Sequence, residues 1–540
     1  GVAQTDKLMS VERTLTVEVN EKAKMITKWT IPAVNTTIKL PVQGTGLNIT
    51  VDWGDGSATE TVTTQFPTHT YAQAGIYEIA VAGNCPVWGK YSGNVPTEGN
   101  DYYTYAQYLS KVIQFGELNA TYYGFTWCTN LTDVKGATVN STKNVTDMSY
   151  MFARCDNLTN LDTSNFDTSK VTNMIGMFAS CRILKNLDVS SFNISNVTNT
   201  SNMFSNCAGL TNLDVSNFNT LKVIDMAYMF YGCNNLKNLN LSNFDTLKVT
   251  NMAYMFYGCN NLTELNLSDF NTSRVTNMTA MFNECSSLIN LDVTNFDTSK
   301  VTQMWNMFNG CKSLNSINLN NFDTSSVENM ISMFFGCNSL KCLDLSGFDT
   351  SKVTMTLSMF ASCSNLKSIQ ISNKFKIPTS RNGNMFTNTP TLKSIIIVDS
   401  EPLASQFTSV KDQLAGKTIY VPNKVAETAY EESWSGDFTA DRIQPILELV
   451  GKENITLNVG NTYTDEGYTV AGFDKTNSGD YTVYGYNVTT SGEVNTAVAG
   501  KYTIEYILTR THNNGTGTVT EEIMKATRTV EVIDTASYMI

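Results

Sequence analysis

Histidine is scarce in this chain of 540 residues, which has only two. His69 lies in a motif rich in turn residues, and His512 lies in an Asn-Asn-Gly loop. The sequence also has no nucleophile elbow, phosphate-binding loop, dinucleotide fingerprint or zinc-ligand spacing. These absences predict a protein that is not an enzyme and has no catalytic cofactor.

Charged residues are also few, at 16% of the chain, and the formal net charge is −12. Binding of nucleic acid needs a basic surface, so this composition argues against a nucleic-acid partner. No run of 18 apolar residues occurs, which argues against direct membrane insertion of this segment. No signal peptide opens the sequence, so we expect any secretion signal or anchor to lie outside it.

The chain does contain a repeat of 26 residues, which runs from about Phe125 to Ile397. Nine cysteines from Cys155 to Cys363 keep this period, and a Met-Phe pair recurs ten times in step with them. A fixed period of this length indicates a solenoid, in which stacked units bury a shared core. We expect the repeated cysteines to be buried thiols. Their spacing does not exclude disulfides, but pairing would break the equivalence of the units.

Two hydrophobic patterns alternate within each unit. Leu239 and Leu241 alternate with polar residues, which predicts a short parallel strand with one buried face. The segment 252–259 has Met, Met, Phe and Cys at positions i, i+3, i+4 and i+7, a spacing that predicts one stripe of a short helix. Thr250 is then the expected N-cap of that helix.

The unit Leu-x-x-Leu-Asp-Val-Ser-x-Phe-Asp-Thr-Ser-x-Val-Thr-x-Met-x-x-Met-Phe-x-x-Cys resembles the repeat of BspA-like bacterial surface proteins. Those repeats are leucine-rich repeats, and the resemblance covers about half of the chain. It implies a leucine-rich-repeat solenoid, with a short parallel β-strand and a short helix per 26-residue repeat. It also implies an extracellular, cell-surface protein with an adhesin-like binding function.

All-β segments flank the repeats. The sequence VDWGDGS at 51–57, followed by His69-Thr-Tyr71, resembles a PKD-type β-sandwich, and segments 461–468 and 499–506 are similar to bacterial immunoglobulin-like modules. The stretch 13–19 resembles 528–532, from which we infer a tandem array. The predicted organisation is 1–24 orphan strand or linker from a preceding module, 25–91 PKD-like β-sandwich, 92–127 N-terminal cap, 128–398 solenoid, 399–446 C-terminal cap, and 447–540 immunoglobulin-like β-sandwich.

The outward side chains of the repeated strands form a polar row and are the candidate binding residues. They are Asp162, Asp188, Asp214, Asn240, Asn266, Asp292, Asn318 and Asp344. Such a row has hydrogen-bonding groups for an extended protein or glycan from a host or bacterial surface. The alternative is a solvated face that is kept polar for solubility. Cys342 falls in the outward positions too, either as an exposed thiol or as a chance substitution.

Asp52 and Asp55 are candidates for a calcium site, since clustered carboxylate oxygens suit that ion. Their position beside Gly54 and Gly56 favours a role in the turn instead. Two functions remain open for the chain as a whole. One is an adhesin segment that binds through its solenoid, and the other is a tandem-repeated stalk or surface-layer spacer without a ligand site of its own.

Overall fold

The computed structural model describes residues 24–89, 106–116, 123–135, 142–402, 407–434, 443–471, 473–474, 484–513 and 518–534. The strand predicted at 13–19 and a large part of the cap predicted at 92–127 lie outside these residues. In the described part of the chain, no helix is long and apolar enough to cross a membrane.

The N-terminal residues form short strands whose buried side chains alternate. The strands are β1 (Met25–Ile31), β2 (Thr36–Lys39), β3 (Val42–Gln43), β4 (Asn48–Asp52), β5 (Glu60–Val62), β6 (Thr68–Tyr71), β7 (Gly75–Asn84) and β8 (Val87–Trp88). In β1, Met25, Trp29 and Ile31 are buried, as the period of two predicts for a strand with one face in the core. β1 and β4 both pair with β7, whereas β2 pairs with β6 and β3 pairs with β8.

This N-terminal sheet continues into the solenoid. β9 (Leu109–Gln114) pairs antiparallel with β1, and β10 (Asp133–Val134) and β11 (Asn160–Leu161) then follow in parallel. One seven-stranded sheet therefore joins the N-terminal strands to the first coils. This continuity covers the core that the first coil would otherwise expose.

The repeats form a β-solenoid of about 12 turns. Its strand segments are very short, as in β12 (Asn212–Leu213) and β13 (Asn238–Leu239), which pair in parallel with a register of one unit. A second line of parallel bridges runs from Asp147 to Met355. Between these two lines the apolar residues of each coil fill the core. Phe256, for example, stacks on Phe230 and Phe282 in the neighbouring coils, with ring centroids 5.8 and 5.7 Å apart.

The predicted helix in each unit is wrong, and two consecutive turns take its place. In segment 252–259 the N–H of Met255 donates to the Met252 carbonyl at 3.3 Å, which closes the first turn. Tyr254 and Gly258 have φ angles of 58° and 70°, in the left-handed region. A left-handed residue at every fourth position cannot belong to a right-handed helix.

Alternate N–H groups of this segment donate to the next coil, whereas the others close the turns within it. The N–H groups of Tyr254 and Gly258 donate to the carbonyls of Thr279 and Asn283, at 2.8 and 2.7 Å. Thr250 is not an N-cap, since its N–H donates to Ile224 of the preceding coil at 2.9 Å. The predicted burial of the stripe is nevertheless correct, because its Met, Phe and Cys side chains are fully buried.

The last coils have longer strands and end against a helix. β14 (Cys342–Leu345), β15 (Ser368–Ile371), β16 (Ser394–Ile397), β17 (Thr418–Val421) and β18 (Ile443–Pro445) form a parallel five-stranded sheet. A 3-10 helix spans Thr408–Leu414, and α1 spans Lys424–Trp434. Asn423 caps α1 by accepting the N–H of Ala426 at 2.9 Å. Ala426, Tyr430 and Trp434 pack from α1 onto the solenoid core and close its C-terminal end.

The C-terminal residues form two further sheets, which we call the C-terminal sheets. The first contains β19 (Leu447–Leu449), β21 (Tyr468–Val470) and β22 (Phe473–Asp474), and the second contains β20 (Asn454–Asn458), β23 (Tyr486–Ser491), β24 (Gly500–Asn513) and β25 (Thr518–Ile533). The order in the second sheet is β20-β25-β24-β23. Arg528, with 0% exposure, ties the two sheets together by donating hydrogen bonds to Asp465, Val450 and Gly467.

Candidate binding surface

The predicted polar row lies on the outward side of the strand segments, which we call the strand face. Seven of its eight residues are exposed, whereas Asp344, in the last of these coils, is half-buried. Adjacent coils are one strand spacing apart, about 4.8 Å, so the row is closely spaced along the solenoid.

Each residue of the row also holds a turn. Oδ1 of Asp214 accepts the N–H of Ser216 at 2.9 Å, and Oδ1 of Asn240 accepts that of Ser242 at 3.1 Å. The equivalent hydrogen bond occurs at the other six positions. The hydroxyl and the N–H of the residue two positions on hold the carboxylate pKa below its ordinary value at Asp188, Asp214 and Asp292. These three aspartates are therefore negatively charged at neutral pH.

A shallow groove of about 560 Å³ crosses the middle of the strand face. Its lining includes Asn240, Asn266 and Asp292 from the predicted row, together with Glu264 and Asn290 from the neighbouring outward positions. Amide and carboxylate groups from three consecutive coils thus meet in one depression. This arrangement suits several hydrogen bonds to one extended ligand.

The C-terminal sheets cover the end of the strand face. The hydroxyl groups of Ser368 and Tyr484 are hydrogen-bonded at 2.6 Å, and the Ser394 hydroxyl donates to the Ala471 carbonyl at 2.9 Å. Around these polar contacts lies an apolar cluster with members from both sides. The strand face is thus already a protein-binding surface within this chain.

Arg510 of β24 makes the charged contact in this interface. Its guanidinium donates to Ser346 Oγ at 2.8 Å and lies 3.8 Å from Asp344 Oδ2. It also lies over the Tyr486 ring, 5.9 Å from the centroid. Only 8% of the Arg510 side chain is exposed, so a polar-row residue here binds an arginine that is almost fully buried.

The interpretation of Cys342 as an exposed thiol is wrong. Cys342 is 6% exposed and packs under the C-terminal sheets, with the Ser368 hydroxyl 3.4 Å from its sulfur. Sequence reasoning also missed Arg510 and Tyr484 as partners of the solenoid. The available signal was the outward row itself, which becomes apolar near its end, where Ile396 is fully buried.

Asp52 and Asp55 act in the turns of the N-terminal sheet. Asp52 Oδ1 accepts the N–H of Gly54 at 2.9 Å, and Asp55 Oδ1 accepts that of Ser57 at 3.0 Å. The other oxygen of Asp55 lies 2.7 Å from Nε2 of His69. Hydrogen bonds, of which that from the Ser57 hydroxyl is the strongest, lower the pKa of Asp55 to about 2. Within the described ranges, no three His, Cys, Asp or Glu residues are grouped so that they could hold a metal ion.

Comparison with known proteins gives two family matches. The family described as "Mycoplasma protein of unknown function, DUF285" matches residues 122–238, 208–315 and 286–397, which together span just over half of the chain. The family described as "Bacterial surface protein, Ig-like domain" matches residues 447–532, the part that forms the C-terminal sheets. No curated protein matches the chain. The protein therefore belongs to the DUF285 family, and its C-terminal sheets correspond to a bacterial surface protein Ig-like domain.

Proposed function

We propose that this chain is a non-enzymatic adhesin segment, displayed on a bacterial cell surface, that binds a protein or glycan of a host or neighbouring cell. The repeats are, in this proposal, of the BspA-like type. The match at residues 447–532 supports it, since that family is described as a bacterial surface protein Ig-like domain. The DUF285 matches fall on the solenoid repeats of this chain.

The observation that carries the proposal is the exposed part of the strand face, from Asp162 to Asn318. Its side chains repeat with the coils, and the groove at Asn240, Asn266 and Asp292 lies near its centre. A repeated array gives a ligand many weak contacts of one kind, which sum through avidity. Catalysis instead needs a single arrangement of unlike groups, and the strand face does not provide one.

The test is to reverse three charges of the strand face together, with Asp188→Lys, Asp214→Lys and Asp292→Lys in one variant. We expect binding of the purified chain to target cells to fall at least about tenfold, since attraction at three sites becomes repulsion. Unchanged cell binding by the folded variant would contradict the proposal.

A structural spacer is the second candidate, and the two ends of the solenoid support it. The N-terminal sheet continues into the first coils, and the C-terminal sheets are packed on the last ones. A solenoid that is joined at both ends to neighbouring sheets suits a stalk. Force spectroscopy on the full chain tests this function: a stalk should extend little until its coils unfold, whereas early detachment of the C-terminal sheets at low force would argue against it.

A further inference from the structure

The contact between Arg510 and the solenoid uses residues that the repeat supplies in other coils as well. Asp344 and Ser346 hold the guanidinium, and the repeat supplies the same pair in four other coils. These pairs are Asp162 and Ser164, Asp188 and Ser190, Asp214 and Ser216, and Asp292 and Thr294. In every one of these pairs, the aspartate Oδ1 accepts the N–H of the second residue. We call these pairs acidic corners. The four additional corners have exposed aspartates, whereas the Asp344 corner is covered.

We propose that the acidic corners at Asp162, Asp188, Asp214 and Asp292 bind arginine side chains on the surface of a protein partner. This proposal rests on the proposed function, because it assigns a partner chemistry to the same strand face. The partner presents its arginines on an extended strand with a neighbouring aromatic residue, as β24 presents Arg510 beside Tyr486.

Three observations favour arginine on a protein over a glycan. The exposed surface continues directly from an interface in which the same corner already holds a guanidinium. A corner offers a hydroxyl and a carboxylate oxygen side by side, which matches the fork of donors on arginine better than the point charge of lysine. The exposed corners carry negative charge, and a neutral glycan has no group that would complement it.

The direct test compares two synthetic peptides, one with alternating arginine and threonine and one with alternating lysine and threonine, of equal length and net charge. Binding to the full chain is measured by fluorescence anisotropy. We expect the arginine peptide to bind about fivefold more tightly, because several exposed contacts each add a small preference. Equal affinity for the two peptides would overturn the proposal.

Two variants of the full chain show whether the acidic corners cause the preference for the arginine peptide. The first changes Asp162, Asp188, Asp214 and Asp292 to Asn, which keeps the turn, since Asn240 holds the same hydrogen bond natively. The control changes Asp167, Asp245, Asp297 and Asp323 to Asn and removes the same charge from a different row of turns. The arginine preference should vanish in the first variant and persist in the control. An equal loss in both variants would show general charge attraction and overturn the proposal.

Cell binding by the lysine-substituted variant separates this proposal from the function on which it rests. Reduced cell binding together with equal affinity for the two peptides would leave the adhesin function standing and reject arginine recognition. Unchanged cell binding together with an arginine preference that depends on the acidic corners would support arginine recognition and reject the adhesin function. A glycan that competes with cells for the strand face, without an arginine preference, would reject arginine recognition as well.

Discussion

Asparagine and aspartate hold turns at up to three points of a coil. In one coil, Oδ1 of Asn240, Asp245 and Asn251 each accepts the N–H of the residue two positions on, at 3.1, 2.9 and 3.1 Å. The sequence indicated a polar row on the strand face, and seven of its eight residues are exposed as expected, whereas Asp344 is half-buried. The turn role of the row was not predicted, because alternation in a strand pattern shows which side chains point outward but not their hydrogen bonds.

A substitution at Cys259 tests the environment of the repeated cysteines from Cys155 to Cys363, which we call the cysteine ladder. The Cys259 thiol donates to the Phe230 carbonyl at 3.2 Å, and at the last rung Thr389 replaces cysteine and its buried hydroxyl donates to the Phe386 carbonyl at 2.7 Å. Since a hydroxyl finds an acceptor here, we expect Cys259→Ser and Cys259→Ala to destabilise the protein by amounts that agree within about 1 kcal/mol. Denaturant unfolding of both variants is the measurement. A serine variant less stable than the alanine variant by about 2 kcal/mol or more would indicate a purely apolar site.

Asp55 gives a prediction for acid stability. Its pKa in the folded protein is lowered from 3.8 to about 2, so the unfolded chain takes up the proton first as the pH falls. Its contribution to stability is therefore complete above the unfolded pKa and is lost as the pH falls from about 4 to about 2. Denaturant midpoints over this range should fall less in Asp55→Asn than in the wild type. Equal slopes in the two proteins would contradict the role assigned to Asp55.

At the scale of elements, the spacing i, i+3, i+4, i+7 predicted the buried side chains correctly but the wrong backbone. The segment instead forms two consecutive turns, whose left-handed residues are four positions apart. These turns bury the same side chains that a helix would bury. The glycines that recur at the position of Gly258, among them Gly232, Gly310 and Gly336, indicated such a turn. Sequence periodicity alone cannot distinguish the turns from a helix, since both place side chains in the core at similar intervals along the chain.

The change in unfolding free energy caused by Gly336→Ala distinguishes a turn from a helix, because its sign differs between the two. The φ angle of Gly336 is 67°, and nothing lies within 4 Å of an added Cβ, so only the backbone conformation opposes a side chain. We expect Gly336→Ala to cost about 1 kcal/mol of unfolding free energy. In a helix the same change would stabilise by a similar amount.

An asparagine at this position is the matched comparison. Asn206 and Asn388 occupy the equivalent turn with φ angles of 57° and 56°. Gly336→Asn should therefore cost less than Gly336→Ala, because asparagine tolerates the left-handed region better. A stabilising alanine variant, or an asparagine variant worse than alanine, would contradict the turn.

At the scale of the whole molecule, the solenoid and its buried cysteines were predictable from the repeat, because every unit has the same pattern of apolar residues. The docking of the C-terminal sheets was not predictable in this way. Its contacts join residues far apart in sequence, 116 positions for Ser368 with Tyr484 and 164 for Ser346 with Arg510. No periodicity relates such pairs, and each side offers only ordinary serine, tyrosine and arginine residues.

The rate at which Cys342 reacts with a thiol reagent measures how firmly the C-terminal sheets are packed on the solenoid. Replacing Arg510 with Ala and Tyr484 with Phe removes the guanidinium contacts and the hydrogen bond to Ser368. We expect Cys342 to react with a thiol reagent at least about tenfold faster in this double variant, as the C-terminal sheets open more often. Cys259 of the inner core is the internal control and should stay protected. Unchanged protection of Cys342 would mean that apolar packing alone holds the interface.

The central claim is that the repeats form a solenoid with one continuous core of stacked coils. Labelling of the individual cysteines in the native protein tests this claim most directly. All twelve cysteines are buried and without disulfide bonds, and burial raises the pKa of ladder thiols such as those of Cys233 and Cys285 to about 12. Thiolates, the reactive form, are therefore scarce at neutral pH. Mass spectrometry should find the ladder unlabelled in the native protein and fully labelled after unfolding. Rapid native labelling along the ladder, or its conversion to disulfides under mild oxidation, would contradict the stacked core.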